Sequence, residues 1–197
     1  AGGMSMAAGS ASAGTMIVVV GPSGAGKDSV MSYAARRFAD EARIGFVRRV
    51  ITRPADAGGE VHTAVDADGF RTRAAEGGFA VAWEAHGLSY GIPRETLDQL
   101  AAGVTLVANG SRSALPAFAE AYPRLKVVLV TARADILAAR LAARGRENAT
   151  AIARRMDRAA PEIVVAADTV VIDNSGPLEA AGEAFVSLLS ASLARRG

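Results

Sequence analysis

Apolar residues in this chain come in two rhythms. Short runs rich in Val, Ile and Leu, bounded by Gly, Pro, Asn or Asp, predict strands over residues 16–20, 45–52, 104–108, 126–131 and 169–173. Between them lie stretches of helical period with recognisable ends. Residues 27–38 follow a glycine loop, 135–144 stop at Gly145, and Asn148 can cap a helix running to Ala160 ahead of Pro161. Pro177 opens a last helix whose Leu178, Phe185, Leu189 and Leu193 share one face. Strand and helix in alternation predict an α/β fold, a mainly parallel core sheet flanked by helices, with no internal repeat.

Residues 1–15 break this rhythm. They are Gly, Ala, Ser and Met almost throughout, which cannot bury enough surface to fold, and they lack the basic start of a signal peptide. They are read as a disordered leader or tag, and residues 16–197 as a single domain.

Composition narrows the class. Half of the 197 residues are apolar, enough for one ample core. The absence of cysteine excludes disulfides and thiolate metal sites and suits a reducing compartment, so a cytoplasmic location is expected. The apolar runs are too short to span a bilayer, and no membrane partner is expected. The 22 basic residues nearly balance 20 acidic ones, and no basic run carries interleaved aromatics, which argues against a nucleic-acid partner. Only Lys27 and Lys126 of the basic set are lysines. The guanidinium forks of the rest suit phosphate oxygens.

The loop between the first strand and first helix, "GPSGAGKDS", is Gly21, Pro22, Ser23, Gly24, Ala25, Gly26, Lys27, Asp28 and Ser29. It fits G-x-x-x-x-G-K, whose backbone N–H groups and following helix N-terminus receive phosphates while the lysine reaches the terminal ones. The Ser or Thr usual after the lysine is here Asp28. A carboxylate oxygen there can hold Mg²⁺ in place of the hydroxyl, with Ser29 as a possible helper. The alternative is an acid favoured in the first helical turn by the macrodipole.

This loop, "ITRPADAGGE" (51–60), "GLSYG" (87–91), "NGSR" (109–112) and "RGREN" (144–148) occur in the order and spacing of the guanylate-kinase-like phosphotransferases. More narrowly, the chain resembles the ribose 1,5-bisphosphate phosphokinases, and Asp28 belongs to that narrower likeness. The resemblance implies ATP as phosphoryl donor, Mg²⁺, and a small-molecule sugar bisphosphate acceptor converted to 5-phosphoribosyl 1-diphosphate during phosphonate breakdown. It implies an acceptor-binding insertion at about 45–100 and a mobile lid at about 140–160. Lys27, Arg144 and Arg155 take the catalytic positions, with Arg146 an added candidate. Arg53, Glu60, Tyr90, Asn109 and Arg112 take the acceptor side.

Departures from guanylate kinase decide the acceptor. That family reads close to T-R-x-P-R-x-G-E, and here the second arginine is missing between Arg53 and Glu60. Counting from Tyr90, its guanine-reading glutamate falls on Val81 and its serine on Ile92, although an offset of a few residues brings Glu84 into the same role. A base left without polar partners is rejected, so guanylate is a poor acceptor. Asn109 falls where guanylate kinases carry an aspartate. By itself the pair Asn109 and Gly110 also reads as a turn with Asn at positive φ.

Other residues are read as bystanders: Arg71 and Arg73 as a solvated face, Trp83 as core, His62 and His86 as surface or supporting histidines. Arg48, Arg49 and Arg53 at the end of a candidate strand, and Tyr90 and Arg94 around a glycine-rich turn, are not bystanders but suit a sugar phosphate. Asp66 to Gly69 matches D-x-x-G without the strand a GTPase switch needs. The alternatives left open are a nucleoside monophosphate kinase and a non-catalytic guanylate-kinase-like binding module.

Overall fold

The computed structural model describes residues 12–57, 59–144 and 168–195. β1 (Met16–Val20) is apolar at every position because it lies in the middle of a sheet covered on both sides. Ile17 and Val19 point into one core, and Met16, Val18 and Val20 into the other. All five are fully buried. Each such side chain contributes about 1.5–3 kcal/mol, so a charge placed anywhere on β1 would damage one of the two layers.

The five-stranded sheet has the order β2-β7-β1-β8-β9, every pair parallel: β2 (Ile44–Phe46), β7 (Thr105–Asn109), β8 (Leu125–Thr131) and β9 (Thr169–Asp173). On the face of Ile17 and Val19 lie α1 (Lys27–Arg37) and the last helix, α6 (Leu178–Ala194). Phe185 and Leu189 of α6 are buried there, with Leu178 and Leu193 packed beside them. On the other face α4 (Leu115–Ala121) inserts Phe118. α5 (Ala134–Ala143) follows β8 and buries Leu137 and Leu141.

A second sheet, absent from the sequence reading, has the order β4-β3-β6-β5: β3 (Val50–Ile51), β4 (Thr63–Ala64), β5 (Phe79–Ala85) and β6 (Leu88–Pro93). The strand expected over 45–52 is therefore two strands in two sheets. Its hydrogen-bond partner changes on the way, with Val47 N–H donating to Val107 O and Thr52 N–H to Ser89 O. Of "GLSYG" only Gly87 is in a turn, His86-Gly87, both at positive φ, and Leu88 to Gly91 lie in β6. Gly91 stands inside β6 because the Phe79 ring covers it: a Cβ there would come within 2.5 Å of ring carbons.

α2 (Ala67–Ala75) and α3 (Thr96–Ala101) flank this sheet. Asp66 caps α2, its Oδ1 accepting from Gly69 N–H at 2.6 Å, which accounts for the D-x-x-G match. Arg71 pairs with Asp68 on the exposed side of α2, and Arg73 lies over the Phe79 ring. Residues 12–15, assigned to the leader, are held down: Gly14 N–H donates to Leu100 O at 2.6 Å, and Arg124 grips Ser12 Oγ and Ala13 O. The helix expected over 148–160, and most of the lid with Arg146 and Arg155, lie outside the described residues. No helix among the described residues is long and apolar enough to cross a membrane.

Candidate active site

The phosphate-type loop leaves β1 with Gly21 at φ 152° and closes at Gly26, φ 85°, which serves as the N-cap of α1. A side chain at Gly26 would be strained by its φ and would strike the Asn174 amide, 2.5 Å from an ideal Cβ. The same amide donates to Ala25 O at 2.8 Å, so β9's end and the loop hold each other. Arg140, at the end of α5, completes the brace. Its Nη1 donates to Gly24 O and Ala25 O at 3.2 and 3.4 Å, and its Nη2 to Asn174 O at 2.7 Å. Arg140, the first residue of the segment expected to form the lid, is instead a support of the loop.

The loop forms one wall of a cavity of about 550 Å³. Four cations line it: Lys27, Arg49, Arg112 and Arg144, with Asp28 the only acid among the described lining residues. Lys27 folds back to donate to Gly21 O at 2.9 Å. Burial lowers its pKa from 10.5 to about 8. Asp28 acts the other way, and Arg49, Arg112 and Arg144 add to the lowering. A cluster of like charges held in a half-dry cleft is a site prepared for a polyanion.

Asp28 sits on the first turn of α1 and Asn109 at the buried end of β7. The amide Nδ2–H of Asn109 donates to Asp28 Oδ1 at 2.9 Å. Asn109 has an ordinary negative φ, so the turn alternative does not hold. Among the described residues no protein donor meets Asp28 Oδ2. An acid bordering a phosphate loop, with one oxygen oriented and the other open, fits a hard divalent cation that completes its shell with phosphate oxygens and water. No cluster of three or more metal-ligating side chains occurs among the described residues.

The opposite wall comes from the second sheet. Trp83 on β5 and Tyr90 on β6 stack nearly parallel, ring centroids 5.4 Å apart at 8°. Trp83 therefore lines the cavity as well as packing on Phe118. The Arg49 guanidinium lies 4.8 Å from the Tyr90 centroid and 5.8 Å from that of Trp83, and it pairs with Glu60. His86 also reaches the lining, so it is not merely a surface histidine. Arg94 is exposed and does not reach it.

Arg53 and Glu60 stand differently from expectation. Neither lines the cavity; Arg49 does. Glu60 is turned to Arg49, and Arg53 is absorbed in its own loop. Buried His62 lies between carbonyls, Nε2 at 2.9 Å from Arg53 O and Nδ1 at 3.0 Å from Glu60 O, with Arg53 Nη2 at 3.4 Å from Nδ1. His62 thus braces the loop. Of the three arginines expected at the end of the candidate strand to suit a sugar phosphate, Arg48, Arg49 and Arg53, Arg49 lines the cavity and the other two do not. Tyr90, Asn109, Arg112, Arg144 and the phosphate loop do meet at the cavity.

Val81 and Ile92 are cross-strand partners on β5 and β6, both buried in the apolar core with Ala114 and Phe118. One apolar pair occupies the two positions where a base-reading carboxylate and hydroxyl were sought. Glu84, the offset candidate, is exposed and pairs across the hairpin with Ser89.

No family model matches the chain. Among curated proteins, the ribose 1,5-bisphosphate phosphokinase of Agrobacterium fabrum is 50% identical over 177 residues, covering 90% of this chain and 97% of that protein. The protein of the same name from Rhizobium etli is 51% identical over 181 residues, covering 92% of each. Among solved structures, guanylate kinase from Anaplasma phagocytophilum superposes with a TM-score of 0.69 at 20% identity, covering 91% of this chain and 86% of that one. A gluconokinase from Sinorhizobium meliloti gives 0.52 at 21% identity, covering 94% and 98%. The likenesses to solved structures establish the fold, a guanylate-kinase-like P-loop kinase, and the relatives the family: this chain belongs to the ribose 1,5-bisphosphate phosphokinases.

Proposed function

We propose that the chain transfers the γ-phosphoryl group of ATP to the anomeric phosphate of ribose 1,5-bisphosphate, giving 5-phosphoribosyl 1-diphosphate and ADP. The observation that carries this reading is the convergence of Lys27, Arg49, Arg112 and Arg144 on one cavity beside a phosphate-binding loop. Such a site suits two phosphorylated ligands together. The apolar Val81–Ile92 pair supports a sugar phosphate over guanylate, because a base edge would find no polar partner there.

An anomeric phosphate oxygen is already ionised, so its bond to the γ-phosphorus forms as the β,γ-bridging bond breaks, and no strong general base is needed. The loop of residues 21–29 binds the donor's phosphates through its backbone and the N-terminus of α1. Lys27 and Arg144 stabilise charge spread over the transferring group. Asp28, oriented by Asn109, would hold Mg²⁺, which would neutralise phosphate charge. Arg155, Arg53 and Glu60 stay in the proposal as family positions, the first for the lid and the others for the acceptor loop. The acceptor side otherwise rests on Tyr90, Asn109 and Arg112.

The test is ³¹P NMR of the products formed from ATP, Mg²⁺ and either ribose 1,5-bisphosphate or GMP. A new diphosphate on the ribose supports the proposal. GDP as the main product overturns it in favour of a guanylate kinase, and no transfer to either favours a binding module.

A further inference from the structure

Arg49 carries more than the family assignment asks of it. It is buried, 8% exposed, yet it lines the cavity on the wall facing the phosphate loop. Its guanidinium covers the stacked Trp83 and Tyr90 rings. That aromatic ledge would otherwise suit a planar base, and here its face is occupied by a cation. Glu60 takes Nη2, while the buried Nε–H has no hydrogen-bond partner. Glu60 thus meets one edge of the guanidinium, and the part that lines the cavity is left to receive an anionic oxygen.

We propose that Arg49 is the specificity-determining residue of the acceptor site, binding the phosphate of the sugar that does not react. The inference rests on the phosphokinase reading above. The reacting phosphate must lie toward Lys27 and the glycine loop; the other, a ribose ring away, reaches the second-sheet wall. Arg49 meets it there with a planar fork that stacking on Tyr90 has already oriented, so little rotamer freedom is lost on binding. The same stacking closes the ledge to a base. Arg49 therefore selects a bisphosphorylated sugar over a singly phosphorylated one.

Calorimetric titration with ribose 1,5-bisphosphate and ribose 1-phosphate tests this in the wild type and in the double variant Arg49→Met/Glu60→Gln. Methionine keeps apolar bulk on the rings, and glutamine avoids an unpaired carboxylate; a thermal melt confirms folding. The wild type should bind the bisphosphate more tightly than the monophosphate by roughly 10- to 100-fold, and the variant should lose that preference. A wild type that binds both equally, or a variant that keeps the preference, overturns the assignment. Turnover of the wild type scores the parent reading separately: preferential binding without transfer would sink the phosphokinase proposal and leave Arg49's role standing.

Discussion

The Asn109 side-chain amide donates to Asp28 Oδ1 at 2.9 Å, tying the end of β7 to the first turn of α1. The bond is charge-assisted, and it decides which carboxylate oxygen remains for a cation. It also explains why Asn109 is an amide: a carboxylate there would lie against Asp28 with no proton between them.

Asn109→Asp should therefore set two carboxylates against each other and remove the N–H that orients Asp28. Metal affinity in the ATP complex, read by Mn²⁺ electron paramagnetic resonance, should fall by about 10- to 100-fold on losing the oriented bond. Asp28→Ser/Asn109→Asp should recover most of that loss, because one carboxylate is again alone. Undiminished Mn²⁺ binding by Asn109→Asp would remove Asp28 from the metal role.

Lys27 yields a pH prediction of definite sign. Its folded pKa of about 8 lies below the ordinary 10.5, so between those values the unfolded chain holds the extra proton. Stability from this group rises with pH across that window and is flat below it. Lys27→Met should abolish that slope in urea unfolding at pH 7 and 9. Ligand binding has the opposite sense: phosphates favour the charged lysine, so affinity should fall above pH 8 and binding near that pH should take up protons. Lys27→Ala should lower turnover by about 10²–10³-fold without lowering the melting temperature.

Much of the fold was readable because the core strands are apolar on both faces. Residues 16–20 and 169–173 stop where Gly21 and Asn174 break the run, and the structure ends β1 and β9 there. The second sheet was not readable. β3 and β4 are two residues each, β5 interleaves Ala and Glu with its buried positions, and β6 contains Gly91, kept small by Phe79. Pairing across His86-Gly87 is made by tertiary packing that no local signal announces. The site divides in the same way. The glycine loop and Asn109 were found because motif and strand end coincide, whereas the choice of Arg49 among Arg48, Arg49 and Arg53, and the brace at Arg140, depend on ring stacking and carbonyl contacts distant in sequence.

Val81→Glu should be a folding mutation before it is a specificity mutation. Its partner Ile92 is fully buried, and both pack with Ala114 and Phe118 in an apolar cluster. An uncompensated carboxylate there should cost at least about 3 kcal/mol, seen in the urea midpoint. The paired change Val81→Glu/Ile92→Ser offers a hydroxyl and should recover part of that stability, while GMP binding stays weak because Arg49 still covers the aromatic ledge. Tight GMP binding by the pair would show that those two positions alone choose the acceptor.

Arg140 should be a support of the donor site rather than a contact to the reacting group. It reaches three carbonyls, of Gly24, Ala25 and Asn174, which no lysine can span with one ammonium in the same geometry. Arg140→Lys should destabilise the fold by about 1–3 kcal/mol through carbonyls left unmet. Because the loop it holds receives the donor phosphates, the ATP dissociation constant should rise about tenfold while the acceptor's stays within a factor of two or so. A variant in which turnover collapses with ATP affinity and melting temperature unchanged would instead place Arg140 on the transferring phosphate.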